Sequence, residues 1–278
     1  MKPATRDRAP RSRVDGQGGA SYRHSRQRPV AGEHASRSRG SQRNPRRRSL
    51  TRRVLLSTVA VVLIAAAGFG VLLLATPGVG DAAARVAAHT GAGRLLTGPP
   101  PLRVQQALVA TEDNRFYSHS GIDILGSMRA TAGPLLGQSD PGGATLDQQL
   151  AKLLYTGGRR SFTDRVEQVA LAVKIDHRYG KPQILRLYLD TAYLGHGYTG
   201  ITAAARGYFD RSPQNLTWSQ ASLLAGLVQA PSAYDPLAHY ALARSRQRHV
   251  LDRLVATRVL TRTAGDAVYA ASLGLVSS

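Results

Sequence analysis

The sequence predicts a mainly α domain preceded by a single membrane-crossing helix. Three observations carry this. Apolar residues recur at the 3.6-residue helical period in DRVEQVALAVKID, PQILRLYLDTAYL and LTWSQASLLAGLVQAP. Clear period-2 strand runs are few, and no internal repeat recurs at a fixed spacing. Val54 to Ala75, VLLSTVAVVLIAAAGFGVLLLA, holds 22 residues without a charge.

Residues 1–53 carry 16 of the chain's 37 Lys and Arg, against three acids, Asp7, Asp15 and Glu33. The formal net charge of +20 therefore belongs mostly to this tail and not to a folded surface. The tail is rich in Arg, Ser, Gly and Gln and nearly lacks apolar residues. It cannot bury enough surface to offset its ordering entropy, so it is expected to be disordered. Its arginines are not interleaved with aromatics as in a base-stacking platform, and no nucleic-acid partner is expected. Beside a membrane they suit anionic lipid instead.

As a helix, residues 54–75 would measure about 33 Å, enough to cross a hydrocarbon core of about 30 Å. A soluble core helix would show a polar face, and a signal peptide a shorter apolar run with a small-residue cleavage site. A retained anchor fits better. Arg46, Arg47, Arg48, Arg52 and Arg53 lie immediately before the span, with nothing comparable after it. By the positive-inside rule the tail is expected to be cytoplasmic and the remainder extracytoplasmic, at the cell membrane. Residues 76–98 are Gly- and Ala-rich and read as a linker, leaving residues 99–278 as one folded domain.

That domain opens with Pro99, Pro100 and Pro101 before LRVQQALVATED, a helix start followed by helical spacing. Glu112 and Asp113 fall at the end of this helix. Adjacent acids are notable in a chain with 17 acidic residues, and two readings stand: a solvated helix end, or a carboxylate facing a cleft. Thr217 and Gln220 have capping-box spacing, and Pro231 suits a stop after the following helix. Gly195 to Gly200 matches G-x-G-x-x-G, but the segment before it is helical in rhythm and residues 214–225 hold no acid. It reads as a tight helix–helix turn and not as a dinucleotide site. There is no cysteine, which excludes disulfides, thiolate zinc sites and cysteine nucleophiles. The eight histidines form no i,i+4 pair, so no metal site is expected.

Three stretches are too polar and glycine-punctuated to read as packing alone: TEDNRFYSHSGID, PGGATLDQQLAKLL and RRSFTDRVEQVALAVKID. In these the chain resembles the family 51 glycosyltransferases, the peptidoglycan transglycosylase module of class A penicillin-binding proteins and their monofunctional relatives. Glu112, Asp113, Phe116, His119, Gly121 and Asp123 match an E-D-x-x-F-x-x-H-x-G-x-D motif. Gly142, Gly143, Thr145, Gln148, Gln149, Leu150 and Lys152 match G-G-S-T-I-T-Q-Q-L-x-K-N. Arg160, Ser161, Phe162 and Arg165 match part of a third motif. Two further blocks, KPQILRLYLDTAYLGHGYTGITAAARGYF and LLAGLVQAPSAYDP, extend the likeness, which runs from about Pro100 to Leu254.

The resemblance implies a lysozyme-like helical domain with a small membrane-proximal jaw. It also implies an inverting polymerisation of lipid II into β-1,4 glycan strands, releasing undecaprenyl pyrophosphate. The residue types agree. A sugar hydroxyl needs a base within hydrogen-bond reach, and Glu112 is the candidate. A departing pyrophosphate needs fixed cations, for which Lys152, Arg160 and Arg165 are candidates. Asp113, Phe116, His119, Thr145, Gln148, Gln149 and Gln168 complete the expected substrate-binding set. Asp113 and His119 read more readily as supports than as catalysts. No cofactor is expected to be required; a divalent cation such as Mg2+ at the pyrophosphate is the one addition the chemistry admits. Expected partners are lipid II, the growing glycan strand, membrane lipids and cell-wall synthesis proteins such as transpeptidases. The chain holds no S-x-x-K and no K-T-G, so a monofunctional enzyme is expected.

Some positions depart from the family pattern. Gln168 stands where the third motif has its glutamate, and Ala144 where the second has serine. Asp147 replaces a threonine, Leu153 an asparagine and Asp164 an arginine. The two added acids are expected to bring negative charge to the pyrophosphate region. Two alternatives therefore accompany the polymerase: a catalytically degenerate, membrane-anchored lipid II-binding scaffold, and a lysozyme-like hydrolase.

Overall fold

The computed structural model describes residues 45–90, 95–126, 144–159 and 161–276. The disordered tail expected over residues 1–53 lies almost wholly outside the described residues. The chain divides into Met1–Arg53 and Val54–Ser278.

Helix α1 runs Pro45–Ala75. Its Arg52–Ala75 portion is long and apolar enough to cross a membrane, and none of it is buried in the protein. Ile64 is 72% exposed and Leu74 88%. A stripe-free apolar helix with none of its residues buried suits a membrane anchor and not a core helix.

The segment expected as a linker is part of the fold. Helix α2, Ala82–Thr90, lies within it, and Val79, Ala82, Val86 and Leu96 are all in the main core. The Leu96 amide donates to Asp190 Oδ1 at 2.8 Å, and Thr90 Oγ1 donates to the Asp190 carbonyl at 2.6 Å. Tyr179 donates to the Val79 carbonyl at 2.7 Å. Small residues look like a linker in composition, yet their size is what lets α2 lie close on the helix beneath.

The domain is mainly helical, with no strand among the described residues. Its helices are α3 (Leu102–Glu112), α4 (Leu146–Leu154), α5 (Phe162–Arg178), α6 (Lys181–Thr191), α7 (Ile201–Phe209), α8 (Trp218–Leu227), α9 (Tyr240–Ala256) and α10 (Arg262–Ala270). Helices α3, α8 and α9 pack mutually, while α4 packs on α5 and α6. Ala107, Ala110 and Ala225 at the first of these contacts bring α3 and α8 close. The expected Thr217–Gln220 capping box opens α8. Gly195 to Gly200 forms a tight turn closed by an antiparallel bridge between Tyr193 and Thr199. At Gly200, with φ +83°, a Cβ would stand 2.8 Å from the Asp190 carbonyl oxygen, so only glycine fits.

Candidate active site

Helix α3 ends at Glu112, and Asp113 caps it with a non-helical backbone, φ −153° and ψ 73°, its N–H returning to the Val109 carbonyl. This change of backbone sends the two acids apart. Asp113 turns inward, where its Oδ2 accepts the Leu146 amide at 3.0 Å and lies 2.9 Å from His119 Nε2. Glu112 stays at the surface of a groove, its side chain 14% exposed.

The N-terminus of α4 is set by a capping box. Thr145 Oγ1 accepts the Gln148 amide, and the Gln148 side chain accepts the Thr145 amide. The Thr145 hydroxyl also donates to the Gly121 carbonyl at 2.7 Å. Gly121 has φ +80°, and a Cβ there would meet the Ala172 carbonyl oxygen at 2.6 Å. Glycine is thus what lets this loop lie against the backbone of α5. With α4 fixed at that end, Gln148, Gln149 and Lys152 share the face turned to Glu112. Gln149 Nε2 donates to Glu112 Oε2 at 3.1 Å, and Gln149 Oε1 accepts the Tyr188 hydroxyl at 2.8 Å.

The groove encloses about 570 Å³. It is lined by Glu112 at the end of α3, by Ala144, Gln148, Gln149 and Lys152 at and before α4, by Arg159, Arg165, Gln168 and Val169 at and before α5, and by Val228 and Gln229 after α8. Arg246 from α9, its side chain 10% exposed, places Nη2 3.5 Å from Glu112 Oε1. Among the described residues lining the groove, Glu112 is the one carboxylate, in company with the cations Lys152, Arg159 and Arg165. One carboxylate amid three cations suits a polyanionic ligand and a single base; it is a poor fit for a divalent cation held by the protein alone.

The structure brings Glu112, Gln148, Gln149, Lys152, Arg165 and Gln168 of the expected set together. Arg160, Gly142 and Gly143 lie outside the described residues. The other expected substrate contacts are placed elsewhere. Phe116 is fully buried, with the Lys181 ammonium 4.4 Å from its ring centre. Thr145 is spent on the cap, and Asp113 with His119 ties that loop to α4. Asp113, His119 and Asp147 stand close together, but the Leu146 amide and the Lys181 ammonium already take their carboxylates, so the group is an ion-paired support.

The two added acids do not enter the groove. Asp147 is fully buried, 3.4 Å from Lys181 Nζ, which also pairs with Asp176. Burial outweighs the Lys181 ammonium and pushes the Asp147 carboxyl up to about 6. Asp164 closes the capping box of α5 with Ser161 and pairs with Arg159 Nε at 3.0 Å. The Ser161 hydrogen bonds and the nearby Arg159 guanidinium hold its carboxyl below the ordinary value. Gln168 is buried, and its amide donates to Thr156 Oγ1 at 2.8 Å and to the Arg159 carbonyl at 3.2 Å. It ties down the loop that carries Arg159.

Sequence reasoning missed Arg159, Tyr188, Gln229 and Arg246. Arg159 neighbours a motif residue, which is a usable signal. Tyr188 sits in an apolar stripe and Arg246 in a helix of many arginines, where no local pattern sets either apart.

A family model described as Transglycosylase matches residues 97–255. Penicillin-binding protein 1A of Neisseria gonorrhoeae is 38% identical over 162 residues, 58% of this chain and 20% of that protein. The chain thus spans about a fifth of the length of that relative. A candidate transglycosylase from Cupriavidus necator is 38% identical over 158 residues, 57% of this chain and 68% of that protein. The crystal structure of penicillin-binding protein 1A from Haemophilus influenzae covers 48% of this chain and 16% of its own at 26% identity, with a TM-score of 0.33, too slight an overlap to bear on the fold.

Proposed function

This chain belongs to the transglycosylase family, and from that premise we propose that it is a peptidoglycan glycosyltransferase. It polymerises lipid II into β-1,4 glycan strands and releases undecaprenyl pyrophosphate. The observation that carries the reading is Glu112, the one carboxylate among the described residues lining a groove with Lys152, Arg159 and Arg165.

Glu112 accepts the proton of the acceptor sugar hydroxyl as its oxygen attacks the donor C1. The C1–O bond to pyrophosphate breaks, and its electron pair passes to the phosphate oxygen. A single displacement inverts the anomeric carbon. Arg246 and the Gln149 amide keep Glu112 ionised and aimed before the proton arrives. The groove's cations stabilise the charge growing on the leaving group, and the arginine forks match phosphate oxygens. Helix α1 holds this groove at the membrane where a lipid-borne donor resides. Its flanking arginines orient the domain to the extracytoplasmic side. The growing glycan strand, membrane lipids and transpeptidases that crosslink the product are the partners this activity requires.

Gln168 at a glutamate position favours the second reading, a scaffold that binds lipid II without turning it over. Product analysis after incubating the full-length protein with labelled lipid II separates the readings. Long glycan polymer with free undecaprenyl pyrophosphate supports the polymerase. Bound but unreacted lipid II selects the scaffold, and soluble fragments released from preformed glycan select a hydrolase.

A further inference from the structure

We infer that Tyr188 is a positioning residue that fixes which end of the Gln149 amide faces Glu112. The inference rests on the reading of Glu112 as the base of the proposed reaction. A primary amide presents either two donors or one acceptor, and the two ends have opposite effects on a carboxylate. The –NH2 end favours the ionised form, whereas the carbonyl end repels it. Gln149 presents –NH2 to Glu112, and its carbonyl is held by the Tyr188 hydroxyl at 2.8 Å.

Tyr188 is suited to hold it. Its side chain is 1% exposed on α6, packed in the core, so the hydroxyl has no water to turn to. Burial, with the nearby Glu112 charge, raises its phenol well above the ordinary value. It therefore stays protonated and a donor at any working pH. Gln149 is on α4, so the chain Tyr188–Gln149–Glu112 spans α6, α4 and α3. Without the hydroxyl, the Gln149 carbonyl loses the donor that holds it away from Glu112. The amide then flips or swings into the groove, and Glu112 loses its donor. The other charged groups around Glu112 are Arg246 from α9, Lys152 from α4, and Arg159 and Arg165 at α5, with Asp113 beside it in sequence. None of them is altered by removing one hydroxyl from Tyr188.

The chain has three glutamates, Glu33, Glu112 and Glu167. Glutamate labelled with carbon-13 at Cδ therefore gives a spectrum simple enough to titrate in the full-length protein in detergent. Glu112→Gln identifies the Glu112 signal by its loss. Tyr188→Phe is expected to raise the Glu112 titration midpoint by about one pH unit. Gln149→Leu should raise it similarly, and the double variant no further than Gln149→Leu alone. The acid limb of the pH–rate profile should move in the same direction, with kcat affected more than KM. An unchanged midpoint in Tyr188→Phe, or additive shifts in the double variant, would overturn the inference. Failure of the wild type to polymerise lipid II sinks the polymerase reading instead, while the titration still decides the role of Tyr188.

Discussion

Glu112 and Asp113 leave the end of α3 in different directions because each carboxylate meets different donors. Asp113 finds the Leu146 amide and His119; Glu112 finds Gln149 and Arg246. The sequence made Glu112 legible as a candidate base through two adjacent acids at a helix end and the E-D-x-x-F-x-x-H-x-G-x-D resemblance. It could not show Arg246, whose contact joins α3 to α9 across most of the domain. The hydrogen bonds of Gln168 were hidden for a similar reason. Its function as a donor depends on where Thr156 and the Arg159 carbonyl lie, and neither is visible in a motif. A carboxylate cannot donate to that carbonyl. Gln168→Glu should therefore lower polymerisation several-fold, measured by lipid II turnover; an increase would mean that the amide had silenced a catalytic glutamate. Phe116 matches a motif yet sits wholly in the core. Phe116→Ala should cost about 3–5 kcal/mol in denaturant unfolding, with KM unchanged in the protein that folds.

Helix α4 is held at its N-terminal turn by two separate contacts. The Thr145 cap sets its start, and the Lys181 ammonium from α6 clamps Asp147. The clamp carries a pH dependence of definite sign. The Asp147 carboxyl titrates near 6 when folded against 3.8 as an ordinary group, so the folded state holds its proton more tightly. Stability is highest below about 4 and falls as pH rises through 6, by on the order of 2–3 kcal/mol. Asp147→Asn removes this contribution. Its stability relative to wild type should thus improve between pH 4 and pH 7, and a constant difference across that range would count against the buried, clamped carboxylate. The helix periods of α3, α5 and α8 and the capping box of α8 were legible because they are local. Helix α2 was not, because an Ala-rich stretch of nine residues becomes a core helix only through Asp190, Tyr179 and the other groups that receive it.

The chain couples a helix long and apolar enough to cross a membrane to a domain whose fold begins directly after it, at Thr76 and Pro77, whose carbonyls accept Lys174 Nζ at 2.7 and 3.1 Å. The anchor and the mainly helical domain were both readable from composition and period. The groove was not, because its walls come from α3, α4, α5 and the end of α8, and only packing assembles them. Protease added outside intact spheroplasts should digest residues beyond Ala75 while sparing the basic tail; protection of the domain would reverse the proposed orientation. The account turns on Glu112 acting as a base in a groove of cations. Polymerisation of labelled lipid II by the full-length wild type, beside Glu112→Gln, tests this most directly. Polymer from the wild type with a loss of at least about 100-fold in the variant is the predicted result. Equal polymer from both, or none from a wild type that still binds lipid II, would contradict it.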